Sequence, residues 1–409
     1  MDRAGFGRTV VEYDIKVEYV ATRYQRRAGS ARCDTGAFSV AAAQSVRSFH
    51  RGFKDYYPTP LVALQRLADS LGITRLWVKD ESRRFGLDAF KVLGASHAVG
   101  RFMGQQLGLE LEQISFDFLR LPQTRARLGG RVFVTASDGN HGRAVAWAAR
   151  QLGQKAVVFL PRNVSAARVA HIRKLGAEAR VTDGNFDESV RLAAETAAQH
   201  GWVLLQDTAW EGYEQVPLWV MQGYLTLFAE AIEQLGPERP THVLIQAGVG
   251  SLGAALRAYL REQYGDSGPF FAVVEPKNAA CFYQSAKTGD GAPKTVTGAL
   301  ETIMAGLAAG EPSTLAWRIL RDYSDGFFAC SDGVAAKGMQ LLGRPLPGDA
   351  AVVSGESGAV TTGVVACLCH DAALRGLREK IQLNAQSKVL LFSTEGATDP
   401  DMYRKIMSR

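Results

Sequence analysis

A chain of 409 residues, 46% hydrophobic and with a formal net charge of +6, has enough apolar mass for a large core and suggests two lobes. The basic residues are scattered except for Arg23, Arg26, Arg27 and Arg32, which favours a solvated arm over nucleic-acid binding. No run approaches the roughly 18 apolar residues of a membrane span, and the amino end carries no signal-peptide core, so a cytoplasmic protein without a membrane partner is expected. Cys33, Cys281 and Cys330 stand alone and Cys367 is one residue too close to Cys369 for C-x-x-C, so reduced thiols and no metal site are expected.

Strand and helix patterns alternate from about Arg75 to Phe392, which indicates an α/β architecture with mainly parallel sheets. The first chemically informative stretch is Ser82–Ala98, where Lys91 lies between Phe90 and Val92 at the start of an apolar run. Desolvation disfavours the ammonium form of such a lysine and leaves a nucleophile able to form a Schiff base with an aldehyde, pyridoxal phosphate being the aldehyde cofactor for amino-acid carbanions. Taken alone, Lys91 also fits an ordinary solvated lysine.

Three later segments turn the balance. Arg131–Ala136 predicts a strand and Arg143–Leu152 a helix, with Ser137-Asp138-Gly139-Asn140-His141-Gly142 filling the junction. Polar groups and N–H donors at such a turn can grip a carboxylate, Asn140 can bond a ring hydroxyl, Asp138 is either a helix cap or a catalytic group, and His141 reads as packed or hydrogen-bonded. Further strands are predicted at Lys155–Pro161 and Glu178–Asp183, then at Trp202–Leu205 before the loop Gln206–Gly212. In that loop Asp207 can orient a group or relay a proton, and Trp210 either walls a pocket or anchors the turn.

Finally, a buried strand over Val243–Ile245 and a helix over Ala254–Leu260 flank Gly248-Val249-Gly250-Ser251-Leu252-Gly253, a turn suited to an anion. The same residues spell G-x-G-x-x-G, and the next strand, Phe270–Val274, runs into Glu275, so a nicotinamide-dependent oxidoreductase is a competing reading.

In the order FGLDAFKVLG, SDGNHGRAVAWAA, QDTAWEGY, QAGVGSLG, VVEP, TIMAGLAAGEPS, VSGESGAV and FSTEG, the chain from Ser48 to Tyr403 resembles the fold-type-II pyridoxal-phosphate enzymes, and among them the diaminopropionate ammonia-lyase family. Asp138 ahead of GNHG and the DTAWEGY segment single out that branch. The resemblance implies a tryptophan-synthase-β-like fold, with a large lobe from residues 1–94 and 216–409, a small lobe from 95–215, and a homodimer. It further implies that Lys91 carries the cofactor and acts as acid and base, that Phe90 packs near the ring and Asn140 faces its hydroxyl, and that Gly248, Val249, Gly250 and Ser251 hold the phosphate. Ser393 or Thr394 is implied at the pyridine nitrogen, and Asp207 joins Lys91 and Asp138 as a catalytic group. Substrate contacts are implied for Ser137, Asp138, Gly139, His141, Trp210, Thr302, Met304, Glu356 and Ser357. The expected reaction is α,β-elimination of 2,3-diaminopropionate to pyruvate and ammonia, Asp138 touching the β-ammonium or taking the α-proton from the face opposite Lys91. Alternatives are a serine/threonine-type dehydratase or β-replacement synthase with the same cofactor, or a non-catalytic sensor on this fold.

Two departures accompany the resemblance. Asp88 stands where the family usually has Asn, with Arg83 or Arg84 expected to pair it, and Met1–Arg47 follow no recognised pattern.

Overall fold

Apolar runs without polar alternation become strands buried on both faces, and here they build two sheets. The computed structural model describes residues 14–22, 31–137 and 139–409, so Arg23, Arg26, Arg27 and Asp138 lie outside the described residues. Strands β1 (Val17–Ala21), β2 (Leu61–Ala63) and β3 (Arg75–Asp80) precede β4 (Val132–Ala136), β5 (Lys155–Leu160), β6 (Glu178–Val181) and β7 (Val203–Leu204). They are followed by β8 (His242–Gln246), β9 (Phe270–Pro276), β10 (Gly326–Cys330) and β11 (Lys388–Ser393).

The large sheet has the order β1-β10-β9-β8-β11-β3-β2 and the small one β6-β5-β4-β7. The small sheet is parallel throughout, and the large sheet is parallel except where β1 and β2 close its two edges. Parallel pairing demands crossover connections, which the intervening helices supply. β11 arrives late in the chain yet enters between β8 and β3, with Ser393 opposite Asp80. This insertion sets the residues after β11 beside the glycine turn after β8, at the carboxyl edge where open α/β sheets bind ligands.

The helix Lys91–Leu107 is buried along most of its length and packs against helices Asn140–Gln151 and Gln215–Gly223. Close approach there requires a missing side chain: a Cβ on Gly94 would lie 2.6 Å from the Tyr224 ring. Among the described residues, no single helix is long and apolar enough to cross a membrane. Arg32, the described member of the basic cluster, pairs with Asp266 at 3.1 Å.

Two histidines sit in the core beside this helix. His97 Nδ1–H donates to the Trp219 carbonyl at 2.7 Å, and the His50 ring bridges Thr226 Oγ1 at 2.7 Å and the Leu93 carbonyl at 3.0 Å. Burial pushes His97 down to about 4, the bond to Trp219 opposing, and burial together with His97 and Arg84 pushes His50 well below its usual value. Both rings are therefore neutral in the folded state and must take up protons on unfolding in mild acid. Their stabilisation is complete above the unfolded pKa of about 6.5 and is lost as pH falls toward about 4, by roughly 3 kcal/mol for His97 alone. Urea unfolding between pH 7 and pH 4.5 should show this loss, with a shallower slope for His97→Asn; equal slopes would remove His97 from the account.

Candidate active site

Four strand-end loops converge on one pocket, through Asn140 after β4, Asp207 after β7, Ala247–Gly250 after β8, and Thr394–Glu395 after β11. Lys91 is the first residue of its helix, and its Nζ lies 2.5 Å from Asp207 Oδ2, with side chains 15% and 3% exposed. The Lys91 amine also lies 5.9 Å from the centre of the Phe90 ring, which in turn packs on Tyr224 at 4.8 Å. Burial works against the Asp207 charge, but Lys91 and then His141 outweigh it and hold the carboxyl below its ordinary value. His141 is both packed and placed on the pocket wall: Nε2 is 3.0 Å from the Leu205 carbonyl and Nδ1 is 3.8 Å from Asp207 Oδ2.

The turn after β8 has the shape of an anion cradle. Gly250 holds φ +93°, and a Cβ there would strike the Phe282 ring and come within 3.1 Å of Ala316. The helix opens at Ser251, so its first N–H groups have no acceptor within the helix, and Gly250, Ser251 and Leu252 line the pocket. Ser251 Oγ donates to the Asp207 carbonyl at 2.5 Å, tying the cradle to the loop that partners Lys91. Across the pocket, Gln246 Nε2 donates to Thr394 Oγ1 at 2.7 Å, while Asn140 Nδ2 donates to Glu395 Oε2 at 2.5 Å. The Tyr224 hydroxyl is buried on this wall without a hydrogen-bond partner among the described residues. An amine at Lys91, an anion cradle, the Thr394 hydroxyl and the Asn140 amide around one pocket fit pyridoxal phosphate in its aldehyde, phosphate, ring-nitrogen and ring-hydroxyl groups.

Other sequence expectations are corrected by placement. Ser393 lies in the strand with its hydroxyl bonded to the Glu395 carbonyl at 3.4 Å, so Thr394 and not Ser393 lines the pocket. Ser137 is buried beneath the turn, accepting from Gly139 N–H at 2.9 Å and Gly142 N–H at 2.8 Å, and neither it nor Gly139 is on the pocket wall. Trp210 stacks on Tyr213 at 4.4 Å away from the pocket, as an aromatic anchor of its turn. Met304 is fully buried in the hydrophobic core. Ser357 is on the pocket wall, whereas Thr302 and Glu356 line an adjoining cleft.

Asp88 pairs with neither Arg83 nor Arg84. Its Oδ2 lies 3.6 Å from Arg143 Nη2, and Arg84 is committed to Glu81 and Glu230 in a buried network that also includes Lys79. Asp88 adopts φ 55°, a left-handed conformation for which Asn and Asp are the favoured non-glycine residues, which is a physical reason for either at this position. Glu275 is wholly buried and spends its oxygens on the N–H groups of Phe282 and Tyr283, at 2.8 and 2.7 Å. Burial raises it to about 8 against those bonds, and the residue is not available to a ribose. Phe186, Tyr224, Gln246 and the Ala305–Ala309 wall were not singled out from the sequence, although TIMAGLAAGEPS contains the last of these.

The sheet order, the amine beside the anion cradle and the carboxyl-edge pocket define a pyridoxal-phosphate enzyme of fold type II. The profile of the family described as pyridoxal-phosphate dependent enzyme matches residues 53–393. The diaminopropionate ammonia-lyase of Salmonella typhimurium is 46% identical over 393 residues, covering 94% of this chain and 97% of the relative. That of Escherichia coli K12 is 46% identical over 373 residues, covering 90% and 92%. A crystal structure of the Escherichia coli enzyme in complex with an aminoacrylate-PLP azomethine reaction intermediate superposes with a TM-score of 0.87 at 43% identity over 97% of each chain. This chain belongs to the diaminopropionate ammonia-lyase family of pyridoxal-phosphate-dependent enzymes. The aligned share also shows that the similarity reaches into Met1–Arg47, where the sequence offered no pattern; β1 in that segment pairs with β10.

Proposed function

We infer that this protein catalyses α,β-elimination of 2,3-diaminopropionate to pyruvate and two molecules of ammonia. The observation that carries this reading is the Lys91 amine held against buried Asp207 beside the glycine turn, in a chain aligned over nearly its full length with diaminopropionate ammonia-lyases. Bound pyridoxal phosphate supplies an aldehyde for the substrate amine and a conjugated ring to take up the electron pair left by the departing α-proton. Gly248, Val249, Gly250 and Ser251 would hold the phosphate, Asn140 would serve the ring hydroxyl, and the neutral Thr394 hydroxyl would serve the ring nitrogen. Lys91 Nζ takes the α-proton on its own face, and Asp207 Oδ2 stabilises the resulting ammonium. The β-amino group leaves as ammonia, and the released enamine hydrolyses to pyruvate and a second ammonia.

On the family resemblance, we propose Asp138 as the base that serves the face opposite Lys91. Asn caps a helix about as well as Asp, so Asp138→Asn should preserve fold and cofactor content. Loss of a general base lowers the rate by about 10²–10⁴-fold, and the loss should fall mainly on the D enantiomer because Lys91 still serves the L form. Steady-state pyruvate and ammonia release from each enantiomer tests both points. Absence of turnover by the wild type rejects the substrate; equal near-wild-type rates in the variant reduce Asp138 to a cap.

We also read the protein as a cytoplasmic homodimer without a nucleic-acid or membrane partner. Five unpaired cysteines, three of them buried, support a reducing compartment, and the family resemblance supports the dimer, which sedimentation velocity measures.

A further inference from the structure

We propose that Glu356 receives the β-ammonium group of the substrate and thereby selects a dicationic amino acid over one with a neutral β-substituent; this rests on the elimination reading above. Glu356 opens the helix Glu356–His370 and is 3% exposed, and its buried Oε1 has no hydrogen-bond partner among the described residues. It lines a cleft of about 350 Å³ that shares Phe186, Ala305 and Ala308 with the catalytic pocket, while the next residue, Ser357, lines the catalytic pocket itself. The two residues thus straddle the wall between the cleft and the pocket.

Two neighbouring carboxylates are already engaged. Glu395 accepts from Asn140 and from the Ser357 N–H at 3.1 Å, and Asp399 caps its helix through the Met402 N–H at 3.1 Å. Glu301, Arg162 and Arg168 also face the cleft. A buried, unsatisfied carboxylate oxygen calls for a cationic donor. Holding the β-nitrogen as an ammonium also suits the chemistry: the Cβ–N bond breaks with its electron pair on nitrogen, and ammonia leaves neutral with no proton transfer. A serine hydroxyl needs a proton to leave and offers Glu356 only a neutral donor.

Burial, followed by Glu395, raises the Glu356 carboxyl to about 7, with Arg168 opposing and Asp399 adding to the rise. An arriving ammonium favours the ionised form, so kcat/KM for diaminopropionate should climb through this pH, whereas serine binding should not follow it.

The test compares holoenzyme and Glu356→Gln with two probes: L-2,3-diaminopropionate turnover, and the L-serine dissociation constant read from the cofactor absorbance. Loss of a charge-assisted hydrogen bond should lower kcat/KM for diaminopropionate by about 10–100-fold while serine binding changes by less than roughly twofold. Glu356→Asp should recover part of the loss. An unchanged diaminopropionate rate, or parallel losses with both probes, overturns the proposal. If the Gln variant does not hold cofactor, the Asp variant and the wild-type pH profile decide, and a wild-type profile without the step overturns it. A wild type that binds serine but never turns over diaminopropionate rejects the elimination reading itself, and this inference with it.

Discussion

Lys91→Ala should lose elimination activity by at least about 10²–10⁴-fold, because one amine serves both as the covalent anchor and as the α-proton base. Borohydride reduction of the wild type followed by peptide mapping should place the pyridoxyl group on Lys91, and the variant should carry none. The buried Asp207 complicates the alanine variant. Its charge is balanced by Lys91 at 2.5 Å, and a buried carboxylate stripped of its partner destabilises a fold by about 3–5 kcal/mol. Lys91→Arg is the necessary companion, since guanidinium keeps the ion pair but stays protonated and forms no link to an aldehyde. Inactivity in both variants with a stable fold in the arginine form assigns the loss to chemistry. A label on another lysine, or an active arginine form, overturns the assignment.

The sequence disclosed this site unevenly, and the reasons are physical. Val243–Ile245 ahead of a glycine turn is a local signal, because a buried strand and an anion-binding helix start are set by neighbouring residues; the strand runs from His242 to Gln246 and the helix from Ser251. The Phe90-Lys91 junction was legible for the same reason. Choosing between Ser393 and Thr394 was not, since adjacent residues at a strand end point to opposite sides and only the pairing of β11 decides which one faces Gln246. The sequence offers Arg83 and Arg84 as the nearby partners of Asp88, whereas long-range packing supplies Arg143 and commits Arg84 to Glu230. Glu275 satisfied a dinucleotide spacing that burial then cancelled. Tyr224 and Phe186 resemble ordinary core aromatics in the sequence, and only the approach of distant segments makes them walls of a pocket.

Gly250→Val should separate cofactor binding from the rest of the fold. The position has φ +93°, which a β-branched residue adopts only under strain of about 1–3 kcal/mol. Its Cβ would also run into the Phe282 ring, which is 0% exposed and cannot swing into solvent, and overpacking of this kind adds a further ~1–3 kcal/mol. The turn can relieve both only by moving the Gly248–Ser251 backbone away from its present course along the pocket wall. Phosphate affinity should therefore fall, with the pyridoxal-phosphate dissociation constant rising by more than about 100-fold, equivalent to roughly 2.7 kcal/mol. Dialysis followed by absorbance titration measures this, and urea unfolding of the cofactor-free forms measures the stability loss separately. Phe282→Ala in the same chain should return part of the stability by removing the collision, yet leave the strain at φ +93° and with it most of the affinity loss. An unchanged dissociation constant in Gly250→Val would show that the phosphate is held elsewhere and would remove the turn after β8 from the site.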